Sequence, residues 1–98
     1  MDFRYLIMRS VPSTEIANFH YPKHEVLADQ HAQFSRLLDL KSATAMTNME
    51  HEEIGIIVQL ENGEEVEILS TMIDVEAKYV EVKGGHLIPI SAILRVEI

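Results

Sequence analysis

The sequence predicts an α+β fold, and three observations support this prediction. The chain has 98 residues, which is the size of one small domain. Apolar residues recur every three or four positions between residues 22 and 40, as in an amphipathic helix, and every second position from residue 53, as in a strand. Turn-forming residues then recur at short intervals. We therefore expect a single domain, 1–98, with a strand, a helix and a linker over 1–52 and a β-meander over 53–98.

The N-terminal half contains the predicted first strand and the predicted helix. Residues 3–11 are apolar and β-favouring and lead into a turn-like Pro-Ser-Thr cluster, so we predict a strand there. The helix is predicted over residues 22–40, because Pro22 suits the first helical position. Residues 42–52 lack a firm period and are assigned mainly to a linker. The apolar stripe of the helix, which Leu37 widens, consists of Leu27, His31, Phe34 and Leu38.

The clearest turn signal is Asn62-Gly63, which predicts a β-hairpin. A two-residue loop would place the carboxylates of the second strand on the apolar face, where unpaired charges are strongly unfavourable. A three-residue loop over 61–63, with Gly63 left-handed in a bulge, instead pairs Val58 with Val66. We therefore predict the bulged loop.

The rest of the chain is predicted to complete a small barrel. The second strand of the hairpin should run without a break to residue 73. Further strands are expected over 79–82, 87–90 and 94–98, with one helical turn over 91–93. Meanders with a long, bent second strand close into small barrels. The predicted architecture is thus an N-terminal strand and one amphipathic helix packed on a five-stranded Sm-like or SH3-like small β-barrel.

Negative charge is concentrated in the middle of the chain. The formal net charge is −8, from 8 Lys plus Arg and 16 Asp plus Glu. Residues 1–41 are neutral, residues 42–77 contain nine acids and no Lys or Arg, and residues 78–98 are slightly basic. Such an acidic balance opposes binding to nucleic-acid phosphates. The acidic stretch is centred on the predicted hairpin.

The composition also excludes several classes of protein. The chain has no cysteine, which excludes disulfides, thiol catalysis and thiolate metal sites. No apolar run approaches the ~20 residues of a membrane span, and the N-terminus lacks the pattern of a secretory signal. We therefore expect a cytoplasmic protein without membrane association.

The candidate functional residues are the acids of the hairpin. One interpretation is a solvated face that discourages aggregation of an edge strand. The other is a site that binds a protein partner with a basic surface through charge complementarity. The acids have no oxygen-rich loop of the EF-hand type around them, so no metal ion or other cofactor is predicted. The residues of this predicted site are Glu61, Glu64, Glu65 and Glu67.

No group of residues indicates catalysis. His24 and His31 would lie ~10.5 Å apart along one helix, too far to share a metal ion without further ligands. His31, Ser35 and Asp39 follow at four-residue steps, but a single helix supplies neither an oxyanion hole nor a nucleophile elbow. We therefore predict a non-enzymatic protein without catalytic or metal-binding residues. A small-ligand or metal site that involves His24 and His31 is the third and least favoured hypothesis.

Residues 53–98 resemble two groups of small bacterial proteins. In YolD-like proteins an Ile-Asp pair is followed by a Lys-containing turn, a short strand, and an Ile-Pro element before a final Ile. The corresponding residues here are Ile73-Asp74, Lys78, Val80, Ile88-Pro89 and Ile93. The outline is also similar to that of Rof-like inhibitors of the Rho termination factor. The resemblance implies an Sm-like barrel with a non-enzymatic, partner-binding role. YolD-like proteins are associated with the DNA-damage response of Gram-positive bacteria and their mobile elements.

The alternative function is nucleic-acid binding by a degenerate Sm-like barrel, which would rely on Lys78, Lys83 and Arg95. Sm proteins read RNA with an Asn after their Asp and an Arg-Gly in the last hairpin. Neither feature is present here, so nucleic acid is the less favoured partner. Barrels of this type also leave edge strands that can pair with a second copy, giving a homodimer or a larger homo-oligomer.

Overall fold

The computed structural model describes residues 8–98, which form an α+β protein with one α-helix and seven strands in two sheets. The α+β class that the sequence predicts is therefore confirmed. The strands are β1 (Ser10–Pro12), β2 (Ile54–Gln59), β3 (Glu65–Ser70), β4 (Ile73–Val75), β5 (Tyr79–Val82), β6 (Leu87–Pro89) and β7 (Ile93–Glu97). The helix is α1 (Gln30–Glu50), and two single 3-10 turns occupy Ser13–Glu15 and Ile90–Ala92.

The first described strand, β1, covers only the end of the strand predicted over residues 3–11, whose residues 3–7 lie outside the described part. It pairs in parallel with β3, so that Ser10 lies opposite Glu67. In the turn that follows, the Ser13 hydroxyl donates a hydrogen bond to the carbonyl oxygen of Lys83 at 2.8 Å. The N-terminal strand thus extends the first sheet and is joined to the second one.

The two sheets have the strand orders β1-β3-β2-β7 and β4-β5-β6. The β2–β3 hairpin has the register that the sequence predicts, with Val58 opposite Val66. Gly63 has a φ of 89°, as the bulged loop requires. The register is set by burial, because it places Val66 and Ile68 in the core and their acidic neighbours on the other side.

The predicted long second strand is interrupted, which corrects the sequence prediction. β3 ends at Ser70 and β4 begins at Ile73. At this break the buried Ser70 hydroxyl donates to the carbonyl oxygen of Met72 at 2.6 Å and accepts from the N–H groups of Met72 and Lys83. A side chain here satisfies backbone groups that a continuous ladder would otherwise pair. The strands therefore lie in two open sheets, and their pairing does not by itself close a five-stranded barrel.

The helix begins eight residues later than predicted and includes most of the predicted linker. Its N-cap is Asp29, whose carboxylate accepts hydrogen bonds from the N–H groups of His31 and Ala32. It ends where His51 adopts a left-handed conformation and donates to the carbonyl oxygen of Thr47. The predicted helix start at Pro22 is therefore wrong, because the capping residue lies at position 29. The predicted linker over 42–52 is also wrong, because the helix continues to Glu50.

The buried face of the helix also differs from the predicted stripe. The buried side chains repeat at spacings of four, three and four residues: Arg36, Leu40, Ala43 and Thr47. In contrast, Phe34 and Leu38 of the predicted stripe are 59% and 49% exposed, and His31 is exposed as well. Both sets have helical spacing, so periodicity does not distinguish them. The exposed set contains the larger apolar side chains, whereas the buried set includes Arg36, whose guanidinium donates hydrogen bonds to Glu25 and to the carbonyl oxygen of Ile93.

Residues 16–29, which we call the strap, form an irregular segment with a turn and several bends that packs against the core before the helix begins. Its backbone is tied to two distant elements. The carbonyl oxygen of His20 accepts from the N–H of Glu61 at 2.8 Å, and the N–H of Val26 donates to the carbonyl oxygen of Ser91 at 2.9 Å. The strap therefore runs from the β2–β3 loop to the turn before β7.

The hydrophobic core is one cluster shared by the helix and both sheets. It includes Leu40 from the helix, Ile56 from the first sheet and Val80 and Ile88 from the second, all without exposed surface. Ile16 adds the start of the strap. This shared cluster is what joins the two sheets.

Tyr21 in the strap carries a buried hydroxyl without a hydrogen-bond partner among residues 8–98. Burial raises the pKa of Tyr21 to about 12. A buried hydroxyl without a partner destabilises a protein by ~1–3 kcal/mol, so Tyr21→Phe should raise the free energy of unfolding by about 1 kcal/mol at neutral pH. Urea denaturation measures this change. Tyr79→Phe, at an exposed position, should change stability by less than about 0.5 kcal/mol.

The pH dependence of Tyr21→Phe gives a second test of the buried hydroxyl. An unfolded tyrosine ionises near 10, whereas folded Tyr21 keeps its proton up to about 12. The native protein should therefore lose stability as the pH rises through this interval, because only the unfolded state releases the proton. The stability difference between Tyr21→Phe and the native protein should widen over the same interval. A difference independent of pH would show that the hydroxyl is solvated.

Candidate partner-binding site at the acidic hairpin

The loop between β2 and β3 is held by local hydrogen bonds. The N–H of Leu60 donates to the carbonyl oxygen of Glu64 at 2.8 Å, and the N–H of Gly63 donates to the carbonyl oxygen of Leu60 at 2.9 Å. The side-chain oxygen of Asn62 accepts from the N–H of Glu64 at 2.9 Å. These bonds order the backbone of the loop that carries the acids.

Two of the four predicted site acids are already engaged within the protein. Glu64 accepts two hydrogen bonds from the guanidinium of Arg9, at 2.9 and 3.2 Å. Glu67 accepts from the hydroxyl of Ser10 at 2.6 Å, and its carboxylate lies against Gly55 on the neighbouring strand. Glu67 therefore belongs to the sheet surface, and Glu64 belongs to an ion pair.

The other two predicted site acids, Glu61 and Glu65, project into solvent. Both are exposed, and within the described part of the chain neither carboxylate has an ion pair or a side-chain hydrogen bond. Glu61 lies in the loop itself, whereas Glu65 opens β3 opposite Gln59. These two carboxylates are the available negative charges of the hairpin.

A groove of about 490 Å³ lies beside the loop, between the hairpin and the strap. Phe19 and Leu60 provide its apolar surface, and polar groups surround them. The guanidinium carbon of Arg9 lies 5.3 Å from the centre of the Phe19 ring. The residues that contribute most to the chemistry of the groove are Arg9, Phe19, His20, Leu60, Glu61 and Glu64.

Sequence reasoning missed the groove residues that come from outside the hairpin. Arg9 and Glu64 are 55 residues apart in sequence, and their contact follows from the parallel pairing of β1 with β3. Phe19 lies in a segment without a regular period. The signal that could have indicated Phe19 was its position two residues before Tyr21 in a short, otherwise polar stretch. Aromatic residues in such segments usually pack against other side chains. The two rings are in edge contact, with centroids 6.4 Å apart.

The cations of the alternative, nucleic-acid-binding site lie on separate elements. Lys78 and Lys83 flank the two ends of β5, and an extended chain separates such positions by about 16 Å. Arg95 lies on β7 in the other sheet and forms an ion pair with Glu97 at 3.0 Å. The structure therefore does not gather these three residues into one basic patch.

A group of carboxylates outside the predicted site lies on the β4–β5 hairpin. The side chains of Asp74, Glu76 and Glu81 are exposed, and one oxygen atom from each lies within 4.8 Å of those of the other two. Asp74 and Glu81 are directly opposite each other in the strand register. Oxygen atoms at this spacing suit a hard divalent cation in geometry, but exposed acids often cluster without one.

The histidines and hydroxyls considered for catalysis are dispersed over the surface. His24 lies in the strap and His31 in the first turn of the helix, and both are exposed. Ser35 and Asp39 are exposed on the same helix. None of these four residues lines the groove beside the hairpin.

Comparison with known proteins adds no family to this description. No family model, curated protein or solved structure matches this chain. Among residues 8–98, no helix has the length and apolarity needed to cross a membrane. Function is therefore inferred from the geometry of the site.

Proposed function

We propose that this protein is a non-enzymatic regulatory or accessory protein that binds a protein partner with a basic surface through the tip of the β2–β3 hairpin. The observation that carries the proposal is the position of Glu61. Its carboxylate is exposed beside a groove of about 490 Å³ that also offers the apolar surfaces of Phe19 and Leu60. A charged rim next to an apolar floor is the usual composition of a recognition site for protein side chains.

The charges of the hairpin supply the second part of the proposal. Glu61 and Glu65 carry negative charge without an internal partner among the described residues, so a partner's cations can pair with them without first breaking an existing ion pair. The hydrogen bonds of the loop order the backbone that carries Glu61, which lowers the entropic cost of binding.

The family resemblance suggests where such a partner acts. We infer that residues 54–97 form a small barrel of the Sm-like or SH3-like type, because the two sheets share one core and β2 pairs with both β3 and β7. With the resemblance to YolD-like and Rof-like proteins, this favours a cytoplasmic partner in the DNA-damage response or the nucleic-acid machinery.

Charge reversal at the hairpin tests the proposal. Glu61→Lys with Glu65→Lys should abolish the capture of specific partners from a lysate of the source organism, because both free carboxylates become repulsive. The native capture should weaken with rising salt. The matched control is Glu50→Lys with Glu76→Lys, which changes the net charge equally at two exposed acids on other elements.

The two outcomes are distinct. Partners that bind the native protein and the control but not the hairpin variant would support the proposal. An unchanged set of partners for the hairpin variant would contradict it, provided that circular dichroism shows the variant to be folded.

A further inference from the structure

We propose that the groove beside the hairpin binds an arginine side chain of the partner, and that Arg9 occupies this site in the free protein. This inference rests on the proposed function and specifies the chemistry that the site recognises. It names a ligand class, the guanidinium group, and a competing group within the chain.

The contacts of Arg9 show that the site is suited to a guanidinium. Two nitrogen atoms of Arg9 donate to the two carboxylate oxygens of Glu64, at 2.9 and 3.2 Å, in the parallel arrangement that only a planar fork can make. The guanidinium carbon lies 5.3 Å from the centre of the Phe19 ring. A carboxylate in front and an aromatic face alongside are the two features by which proteins distinguish arginine from lysine.

Arg9 can leave this position without unfolding its surroundings. Its side chain is 49% exposed and that of Glu64 is 38% exposed, and ion pairs so open to water contribute little to stability. The backbone of Arg9 is held separately, because its carbonyl oxygen accepts from the N–H of Glu67 at 3.0 Å. The side chain can therefore swing into solvent while β1 stays in place.

The site gains negative charge when Arg9 leaves. Glu64 loses its partner, and Glu61, which lines the same groove, has no ion pair in the described part of the chain. An incoming arginine would thus meet the carboxylate of Glu64, the ring of Phe19 and a second carboxylate from Glu61. In the structure Arg9 contacts Glu64 and Phe19 and forms no ion pair with Glu61, so a partner's arginine that also pairs with Glu61 can compete with it.

A partner's arginine can bind only to molecules in which Arg9 has moved away. The apparent affinity of the site therefore equals its intrinsic affinity multiplied by the fraction of such molecules. Removing the Arg9 side chain should therefore strengthen binding. If Arg9 occupies the site about nine-tenths of the time, the gain is about tenfold.

The test is a titration monitored by NMR with two short peptides that are otherwise uncharged. One peptide has a single arginine, and the other has a single lysine at the same position. The Arg9→Ala variant should bind the arginine peptide about tenfold more tightly than the native protein. Arg95→Ala is the matched control, because it removes an arginine from an exposed ion pair on another strand with the same change in net charge. Its affinity for the peptide should equal that of the native protein.

Two further variants test the proposed contacts. Glu64→Gln, made in the Arg9→Ala background, should lower the affinity for the arginine peptide at least about tenfold, because a neutral amide cannot replace the charged fork. Phe19→Leu in the same background should reduce the preference for arginine over lysine.

Three results would overturn the inference: no binding of the arginine peptide to Arg9→Ala, equal affinities for Arg9→Ala and Arg95→Ala, or equal binding of the two peptides. None of these results would contradict the proposed function if charge reversal of Glu61 and Glu65 still abolished partner capture. Conversely, an unchanged partner set in that experiment would remove the proposed function even if the groove bound arginine.

Discussion

Replacing Glu25 with alanine should lower the free energy of unfolding by about 3 kcal/mol, although Glu25 is itself partly exposed. The reason is the side chain of Arg36, which is only 5% exposed. Its guanidinium donates to both carboxylate oxygens of Glu25, at 2.7 Å for one of them, and to the carbonyl oxygen of Ile93 at 2.9 Å. Without Glu25, a buried positive charge would lose its counter-charge. Urea denaturation at neutral pH measures the loss.

The double variant Glu25→Gln with Arg36→Met separates the ion pair from packing. Methionine fills much of the volume of arginine without a charge, and glutamine keeps an oxygen that can accept from the N–H of Leu27. Buried ion pairs replaced as a unit by neutral groups often cost little, so we expect the double variant within about 1 kcal/mol of the native protein. A single Glu25→Ala variant no less stable than the double variant would contradict the role assigned to the buried charge.

The same ion pair predicts a loss of stability in acid. The hydrogen bonds from Arg36 lower the pKa of Glu25 below its ordinary value of 4.5. Because the folded state holds the proton less tightly than the unfolded state, the stabilisation is complete above the ordinary value and is lost as the pH falls through the lowered one. The native protein should therefore lose more stability in this range than the double variant does.

Leu40→Ala should lower the free energy of unfolding by about 3 kcal/mol, whereas Leu38→Ala on the same helix should change it by less than about 0.5 kcal/mol. Leu40 has no exposed surface and belongs to the shared core, while Leu38 is 49% exposed. Both substitutions remove the same atoms from the same helix, so differences in helix propensity cancel. Urea denaturation of the two variants compares the two faces directly.

The outcome of this pair distinguishes the observed helix orientation from the one that the sequence predicts. The apolar stripe inferred from spacing would bury Leu38 and expose Leu40. A larger loss for Leu38→Ala than for Leu40→Ala would mean that the helix packs through that stripe. Equal losses would mean that neither leucine lies at the helix–sheet contact.

The β2–β3 hairpin could be predicted because its determinants are local. The alternation of apolar and acidic residues in β3 leaves only one register that keeps Val66 and Ile68 away from water, and Gly63 supplies the left-handed position that the loop needs. The start of the helix could not be predicted in the same way. Pro22 and Asp29 both lie at suitable places, and the choice between them depends on the strap, which is held by hydrogen bonds to the distant Glu61 and Ser91.

Only part of the candidate site could be predicted from the sequence. Glu61 and Glu65 were predicted as exposed acids of the hairpin and have that position in the structure. The engagement of Glu64 by Arg9 was not predicted, since it depends on the parallel pairing of two strands far apart in the chain. The groove itself requires the strap to pass beside the loop, and no periodicity in the strap indicates that path.

By itself the sequence determined the class of fold, the register of the hairpin and the location of the acidic stretch. Each of these follows from short-range sterics, side-chain period and charge, which act between residues close together in the chain. Only the tertiary structure decided which face of the helix is buried, which acids are free, and that Arg9 lies on Phe19 beside the hairpin. These features depend on contacts between segments that are distant in the chain. On the helix, for example, two sets of residues have the same spacing, so either face could be buried. In this protein the buried face of the helix contains Arg36, which pairs with Glu25 of the strap.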